Sequence, residues 1–248
     1  MQVIQMPNNR AFIFDVDGTL TLSRTLMDPK FKEFFLKFIN EHDTYIVTGS
    51  DYSKTLEQLG EDIMHNVKRS YNCSGNSVWE KGIEVQTSEW TLSNEARDWL
   101  SKELFASKFP IRTGTHIEDR PGMVNFSIVG RGSTNEERAE YEAYDKAHSE
   151  RNDLAQRFNN KFTEEENVEA KVAGATGLDI APKGKDKRQI LSDFSEVPVC
   201  FFGDMMQPGG NDEPLGTAIH NRNEENDEVI WVKDWKDTWM ELKGATNG

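Results

Sequence analysis

Four apolar residues, Ala11–Phe14, run directly into Asp15-Val16-Asp17-Gly18-Thr19, and this junction constrains the chain more than any other stretch. A short apolar run bounded by turn residues reads as a buried strand, and the Asp-Gly pair as the tight loop it feeds. Two carboxylates two residues apart at a strand end can share a divalent cation and a phosphoryl group. One attacks phosphorus while the other moves protons on the entering or leaving oxygen. Gly18 lets the backbone turn sharply enough to present amide hydrogens to phosphate oxygens. An acidic turn after a core strand looks the same when it stands alone, so the weight falls on what accompanies it.

Asp28-Pro29 supplies an N-cap followed by proline at the first helical position, and Phe31, Phe34, Phe35, Phe38 and Ile39 follow at helical spacing. That stripe is a core face packed on a sheet. Thr44–Val47 predicts the next strand, closed by Thr48-Gly49-Ser50, and Asp51–Leu59 a short helix stopped by Gly60. Strand, helix, strand, helix in this order predicts parallel pairing in a doubly wound α/β sheet, with ligands beyond the carboxyl ends of its strands.

From Ser77 the pattern changes. Ser77–Thr87 reads as a hairpin about Lys81-Gly82, Ser93–Phe105 as a helix, and Thr115–Asp119 with Met123–Val129 as an antiparallel pair turning through Arg120-Pro121-Gly122. Thr134 and Glu137 form a capping box that opens a charged helical region to about Phe158. Lys161–Asn167 reads as an exposed acidic loop, and Val168–Ala173 and Leu178–Ala181 as two further strands. The α/β pattern then resumes with a helix at Asp186–Asp193, a buried strand at Val197–Phe202, a Gly/Asn-rich loop, a strand at Val229–Val232 and a helix from Asp234. The expected organisation is a Rossmann-like core of residues 1–85 and 184–248, interrupted by an inserted α+β domain over residues 86–183.

The Asp15 junction has two sets of partners. Gly203-Asp204 again follows a buried strand, with Gly209-Gly210-Asn211-Asp212 beyond it, and a hard cation needs oxygen ligands from separate strand ends. Thr48 and Lys187 offer a hydroxyl and a cation able to hold phosphate oxygens. In Met123–Val129, Val124, Phe126 and Ile128 alternate with Asn125 and Ser127, which gives the strand a polar face. Arg120 and Arg131 flank that strand; taken alone they read as solvated surface charge, and only together with a matching motif do they favour phosphate binding.

The formal net charge of −14 sets both nucleic acid and anionic membranes aside as main partners. An anionic substrate would need a local cluster of Arg, Lys and metal against that field. The apolar runs are far too short to cross a bilayer, and MQVIQMPNNR lacks the apolar stretch of a secretory leader. Cys73 and Cys200 are too few for a disulfide framework and read as reduced core thiols, so the expected location is cytoplasmic.

This set of motifs, in this order, resembles the haloacid dehalogenase superfamily of phosphatases and phosphomutases. The resemblance implies Asp15 as nucleophile, Asp17 as general acid/base, and Thr48, Ser50 and Lys187 as phosphate binders. It also implies Mg²⁺ held by Asp15, Asp204 and the Asp17 carbonyl, with Asp212 beside them. A closer likeness spans nearly the whole chain. FDVDGTLT followed by Arg24, Gly49-Ser50-Asp51, EQLG at 57–60, GxxIExRxGMxN at 114–125, Val129-Gly130-Arg131, DKR at 186–188 and FFGDxxxPGGND at 201–212 look like the eukaryotic-type phosphomannomutases. That family implies interconversion of mannose 6-phosphate and mannose 1-phosphate, a hexose 1,6-bisphosphate activator, and a homodimer formed through the inserted cap domain. It implies Arg24, Arg120, Asn125, Arg131 and Asp179 as substrate-binding residues. The alternative is a Mg²⁺-dependent sugar-phosphate phosphatase of the same superfamily. Three places depart from the family pattern: Arg112-Thr113-Gly114 sets an arginine one residue early, Gly177 stands for a serine, and Thr48 for a glycine.

Overall fold

Strand alternation explains why the Ala11–Phe14 run is apolar throughout. In β1 (Ala11–Phe14), Phe12 and Phe14 join one hydrophobic layer and Ala11 and Ile13 the opposite one, so both faces are covered. The computed structural model describes residues 10–222 and 224–246. The reading of the first nine residues as lacking a leader lies outside the described residues. No helix among the described residues is long and apolar enough to cross a membrane.

β1 lies inside a seven-stranded sheet with β2 (Thr44–Val47), β3 (Arg69–Asn72), β4 (Ser77–Glu80), β5 (Ile83–Thr87), β10 (Val199–Gly203) and β11 (Glu228–Trp231), in the order β11-β10-β1-β2-β3-β4-β5. The five strands from β11 to β3 run parallel, and the β4–β5 hairpin adds an antiparallel edge. This is the doubly wound α/β sheet expected. The chain winds outward from β1 through β2 to β3, then returns to β10 on the other side, so the order reverses between β1 and β10. Such a reversal leaves a crevice at the strands' carboxyl ends.

One face is packed by α1 (Pro29–Glu41), α2 (Tyr52–Leu59), α3 (Glu61–Asn66) and α8 (Trp235–Thr246). Asp28 caps α1 through its side chain, and Phe35 and Phe38 meet Phe14 and Phe12 edge-on at 5.1 Å. The other face is packed by α7 (Glu213–Arg222) and the Lys187–Phe194 turn. The latter is the helix expected there, wound as a 3₁₀ helix. Three elements escape the sequence pattern. Gly60 ends α2 but also opens α3, β3 carries mostly polar residues, and α7 begins within the loop expected after Asp204.

By its internal contacts the chain divides into two compact units, Met1–Thr87 with Asp186–Gly248, and Ser88–Lys185. The second has a four-stranded antiparallel sheet of β6 (Ile117–Arg120), β7 (Met123–Ser127), β8 (Val168–Ala173) and β9 (Gly177–Pro182), in the order β6-β7-β9-β8. Helices α4 (Asn94–Ala106), α5 (Asn135–His148) and α6 (Glu150–Glu166) share a core with Val124, Phe126, Leu178 and Ile180. Two expectations are corrected here. The helical region breaks at Ser149, whose backbone is left-handed, and α6 then continues through the stretch read as an acidic loop. Phe158 and Phe162, four apart and fully buried, anchor those last turns while Glu164 and Glu165 face water.

Candidate active site

Asp15 is the first residue past β1, and its N–H donates to the Phe202 carbonyl of the neighbouring β10 at 3.0 Å. The site forms where those two strand ends meet. Lys187 is entirely shielded from solvent, and its Nζ lies 2.5 Å from Asp15 Oδ1 and 2.7 Å from Asp212 Oδ1. The other oxygen of Asp212 accepts from the Met205 N–H at 3.0 Å, which folds the loop after β10 back on itself. Asp204 lies against the Asp15 loop from the opposite side. A Cβ on Gly18 would come within 2.3 Å of Asp204 Oδ2, and Gly18 adopts φ +93°. Both the space and the backbone therefore require glycine there.

Three carboxylates thus surround one ammonium. Burial holds the Asp15 carboxyl well above the ordinary range; Lys187 opposes that rise, and Asp212 and Asp204 add to it. Asp204 is pushed up to about 6, first by burial and then by Asp212. For Lys187 burial favours the neutral amine, but Asp15 and Asp212 more than reverse it, so it stays charged. Oxygens of Asp15, Asp204 and Asp212 all lie within 4.8 Å of one another. Asp204 Oδ1 and Asn211 Oδ1 are buried with no hydrogen-bond partner. An all-oxygen set with negative charge to spare and an unsatisfied buried oxygen fits a hard divalent cation.

Asp17 is held elsewhere. Its carboxylate is not one of the grouped three and is gripped by α2: Lys54 Nζ reaches Oδ2 at 2.9 Å and Gln58 Nε2 reaches Oδ1 at 2.9 Å. The Arg24 N–H adds a bond at 3.3 Å and the Ser50 hydroxyl another at 3.4 Å. Burial alone would raise the Asp17 carboxyl, but the Lys54 charge and these donors bring it below its usual value. Two carboxyls two positions apart in the chain are therefore shifted in opposite directions, Asp15 upward and Asp17 downward, because different groups hold them. Sequence reasoning missed Lys54 and gave Gln58 no role. Their signal was available: they lie four apart on a short helix that begins just after Ser50.

Thr48 is one residue past β2, buried, and its Oγ1 accepts from the Ser50 N–H at 3.1 Å. The Ser50 hydroxyl also accepts from Lys54 Nζ at 2.9 Å. Arg24 is exposed, on a left-handed backbone with φ 60°.

In the second unit, strand register sets Glu118, Asn125, Asp179 and Lys171 in one row across all four strands. Arg120 Nε and Arg131 Nε both reach Glu118 Oε2, at 2.8 and 3.1 Å, and Asn125 Nδ2 donates to Asp179 Oδ1 at 2.7 Å. Arg120, Asn125, Arg131 and Asp179 are thus brought together, with Glu118 as an acid that sequence reasoning left without a role. The Asp179 carboxyl is raised by burial, with Arg120 opposing. The departures have physical causes. Arg112 spends its guanidinium on the carbonyls of Leu104, Ser107, Phe109 and Ile111, capping the end of α4. A Cβ on Gly177 would come within 2.8 Å of the Asn125 amide, so the absence of a side chain there makes room for Asn125.

Comparison with known proteins agrees with this geometry. Among solved structures, the trehalose-6-phosphate phosphatase C-terminal domain of C. albicans superposes with a TM-score of 0.65 at 13% identity, covering 97% of this chain and 94% of that one. An IMP-bound IMP-nucleotidase of Plasmodium falciparum gives 0.62 at 13% identity, covering 97% and 69%. At such identities the likeness is one of fold. A phosphomannomutase of Galdieria sulphuraria is 36% identical over 208 residues, covering 81% of this chain and 82% of that one. One of Arabidopsis thaliana is 34% identical over 234 residues, covering 89% and 94%. The family model described as eukaryotic phosphomannomutase matches residues 31–226. With that match across most of its length, and relatives at this identity, the chain belongs to the eukaryotic phosphomannomutase family, a family of enzymes.

Proposed function

We propose that this enzyme interconverts mannose 6-phosphate and mannose 1-phosphate by carrying the phosphoryl group on Asp15. The observation that carries the reading is the placement of two carboxylates, Asp15 beside Lys187 at a strand end and Asp17 held apart from it by α2. An Asp15 oxygen attacks the phosphorus of a hexose 1,6-bisphosphate, and the bond from phosphorus to the sugar oxygen breaks. Asp17 gives a proton to that departing oxygen. In the return step it takes a proton from the hydroxyl that attacks phospho-Asp15, so the cycle balances. Lys187, Thr48 and Ser50 hold phosphate oxygens, and Lys187 also bridges Asp15 and Asp212. Asp15, Asp204 and Asp212, with the Asp17 carbonyl, would hold Mg²⁺, which when bound would offset charge on the transferring group.

Arg120 and Arg131 hold the phosphate that is not reacting, and Asn125, Asp179 and Arg24 serve the sugar. The chain works as a homodimer in the cytosol, a compartment in keeping with two free, buried cysteines. A sugar-phosphate phosphatase is the second reading, favoured by Arg112, whose guanidinium is spent on carbonyls. The test is a product assay with mannose 1-phosphate plus bisphosphate, scoring 6-phosphate against free phosphate. Predominant 6-phosphate is expected, and free phosphate alone would make the enzyme a phosphatase.

A further inference from the structure

Trp231 is the last residue of β11 and is 62% exposed, a placement that wastes most of a large apolar surface. Its one polar atom is not wasted. Indole Nε1 donates to the main-chain carbonyl of Asp204 at 2.8 Å. The N–H of the same peptide group, that of Met205, donates to Asp212 Oδ2 at 3.0 Å. One peptide plane is therefore held at both ends, by an indole on one side and a carboxylate on the other. A peptide group is rigid, so fixing its plane fixes ψ of Asp204 and with it the direction of the Asp204 side chain. That side chain ends in the unpartnered buried Oδ1, packed against the Gly18 backbone.

We propose that Trp231 is a positioning residue for the divalent cation, its indole N–H holding the peptide that aims the Asp204 carboxylate. The inference rests on the cation site proposed above. It assigns a role to a side chain that bonds the main chain of Asp204 and not its carboxylate. The strand register supports it: Trp231 pairs with Gly203, and the Val232 N–H donates to the Gly203 carbonyl at 3.0 Å, so β11 meets β10 directly before Asp204. Without the indole, the peptide loses its bond at the Asp204 carbonyl and keeps the one at the Met205 N–H.

The test is calorimetric titration of Mg²⁺ into the metal-free full chain, comparing wild type, Asp204→Asn and Trp231→Phe, with circular dichroism and metal-free Tm alongside. Phenylalanine keeps the ring and deletes the donor. Wild type should bind Mg²⁺, Asp204→Asn should lose binding, and Trp231→Phe should bind roughly three- to tenfold more weakly with an unchanged spectrum. Equal affinity in wild type and Trp231→Phe overturns the role of Trp231 and leaves the cation site standing. A wild type that takes up no Mg²⁺ overturns the cation site itself. A second measurement needs no variant: the ¹⁵N-indole resonance of Trp231 should shift and its N–H exchange should slow on adding Mg²⁺. An indole signal indifferent to Mg²⁺ likewise overturns the proposal.

Discussion

The two charged clusters of this chain are balanced in opposite ways. At the ends of β1 and β10, three carboxylates face one ammonium, Asp15, Asp212 and Lys187 being almost wholly shut from water. On the sheet of the second unit, Arg120 and Arg131 face Glu118 and Asp179, charge for charge. The first cluster is short of positive charge; in the second, guanidiniums oppose the acids, although burial still raises the Asp179 carboxyl. The first therefore suits a cation, whereas an anion arriving at the second would have to displace Glu118 from its arginines. Balanced pairs of this kind lend orientation to the guanidiniums but tax the incoming ligand.

The strongest way to break this comparison is to remove the proposed nucleophile. Asp15→Asn takes one carboxylate from the overcharged cluster and leaves Lys187 paired with Asp212. Turnover should fall by at least about 10³, roughly 4 kcal/mol of barrier, because an amide is a poor nucleophile. Steady-state rates and mass spectrometry of the phosphoenzyme check it, and a rate within about tenfold of the parent would remove Asp15 as nucleophile. The second cluster is next. Arg131→Ala or Arg120→Ala should lower the ratio of hexose 6-phosphate to free phosphate by roughly ten- to a hundredfold, while phosphoenzyme formation from a small activated donor survives. A ratio unmoved in both variants would make these arginines surface charge.

Lys54 sharpens the contrast within the first unit, since it gives Asp17 the balance that Asp15 lacks. Lys54→Met should let the Asp17 carboxyl rise and swing, slowing sugar-dependent turnover about tenfold. Labelling of Asp15 by acetyl phosphate should change less, and equal loss in both assays would count against a role specific to Asp17. The smallest effect concerns a half-buried base. His42 packs its ring on Phe38 at 4.4 Å and on Phe12 at 5.2 Å, and burial depresses its proton affinity with Glu41 opposing. Its neutral form is the one folding favours. That contribution is complete above the unfolded value of about 6.5 and is lost as pH falls through the lower folded one. His42→Asn should therefore shrink the drop in Tm between pH 7.5 and 5.5, and an identical drop would place the acid sensitivity elsewhere.

Much of this was legible in the residues. The β1 run ends on carboxylates, Gly203-Asp204 repeats the device, and the doubly wound sheet follows from alternating strand and helix signals. What stayed hidden was hidden for physical reasons. The acidity of Glu164-Glu165-Glu166 masked the Phe158–Phe162 pair that holds α6 in place, because exposed charge is as common on helices as on loops. Pro214 and Gly216 disguised α7, although Leu215 and Ile219 bury one face of it. Arg112 has the residue type of an anion binder, yet only coordinates reveal carbonyls converging on it. Glu118 was visible within a motif, but its hold on two arginines depends on strand register, which no local pattern encodes.

The contact between Asp15 and Lys187 spans 172 positions of chain, and the strand that pairs with β1 on that side comes later still. Translation at about 5–20 residues per second separates the emergence of these two side chains by roughly 10–35 s. During that interval β1 has exposed its Phe12 and Phe14 edge without the β10 neighbour, and the whole of Ser88–Lys185 emerges in between. The second unit, whose strands and helices are contiguous in the chain, can finish folding on the ribosome first. Chaperone demand during synthesis should accordingly centre on the amino-terminal third, which is made earliest and completed last.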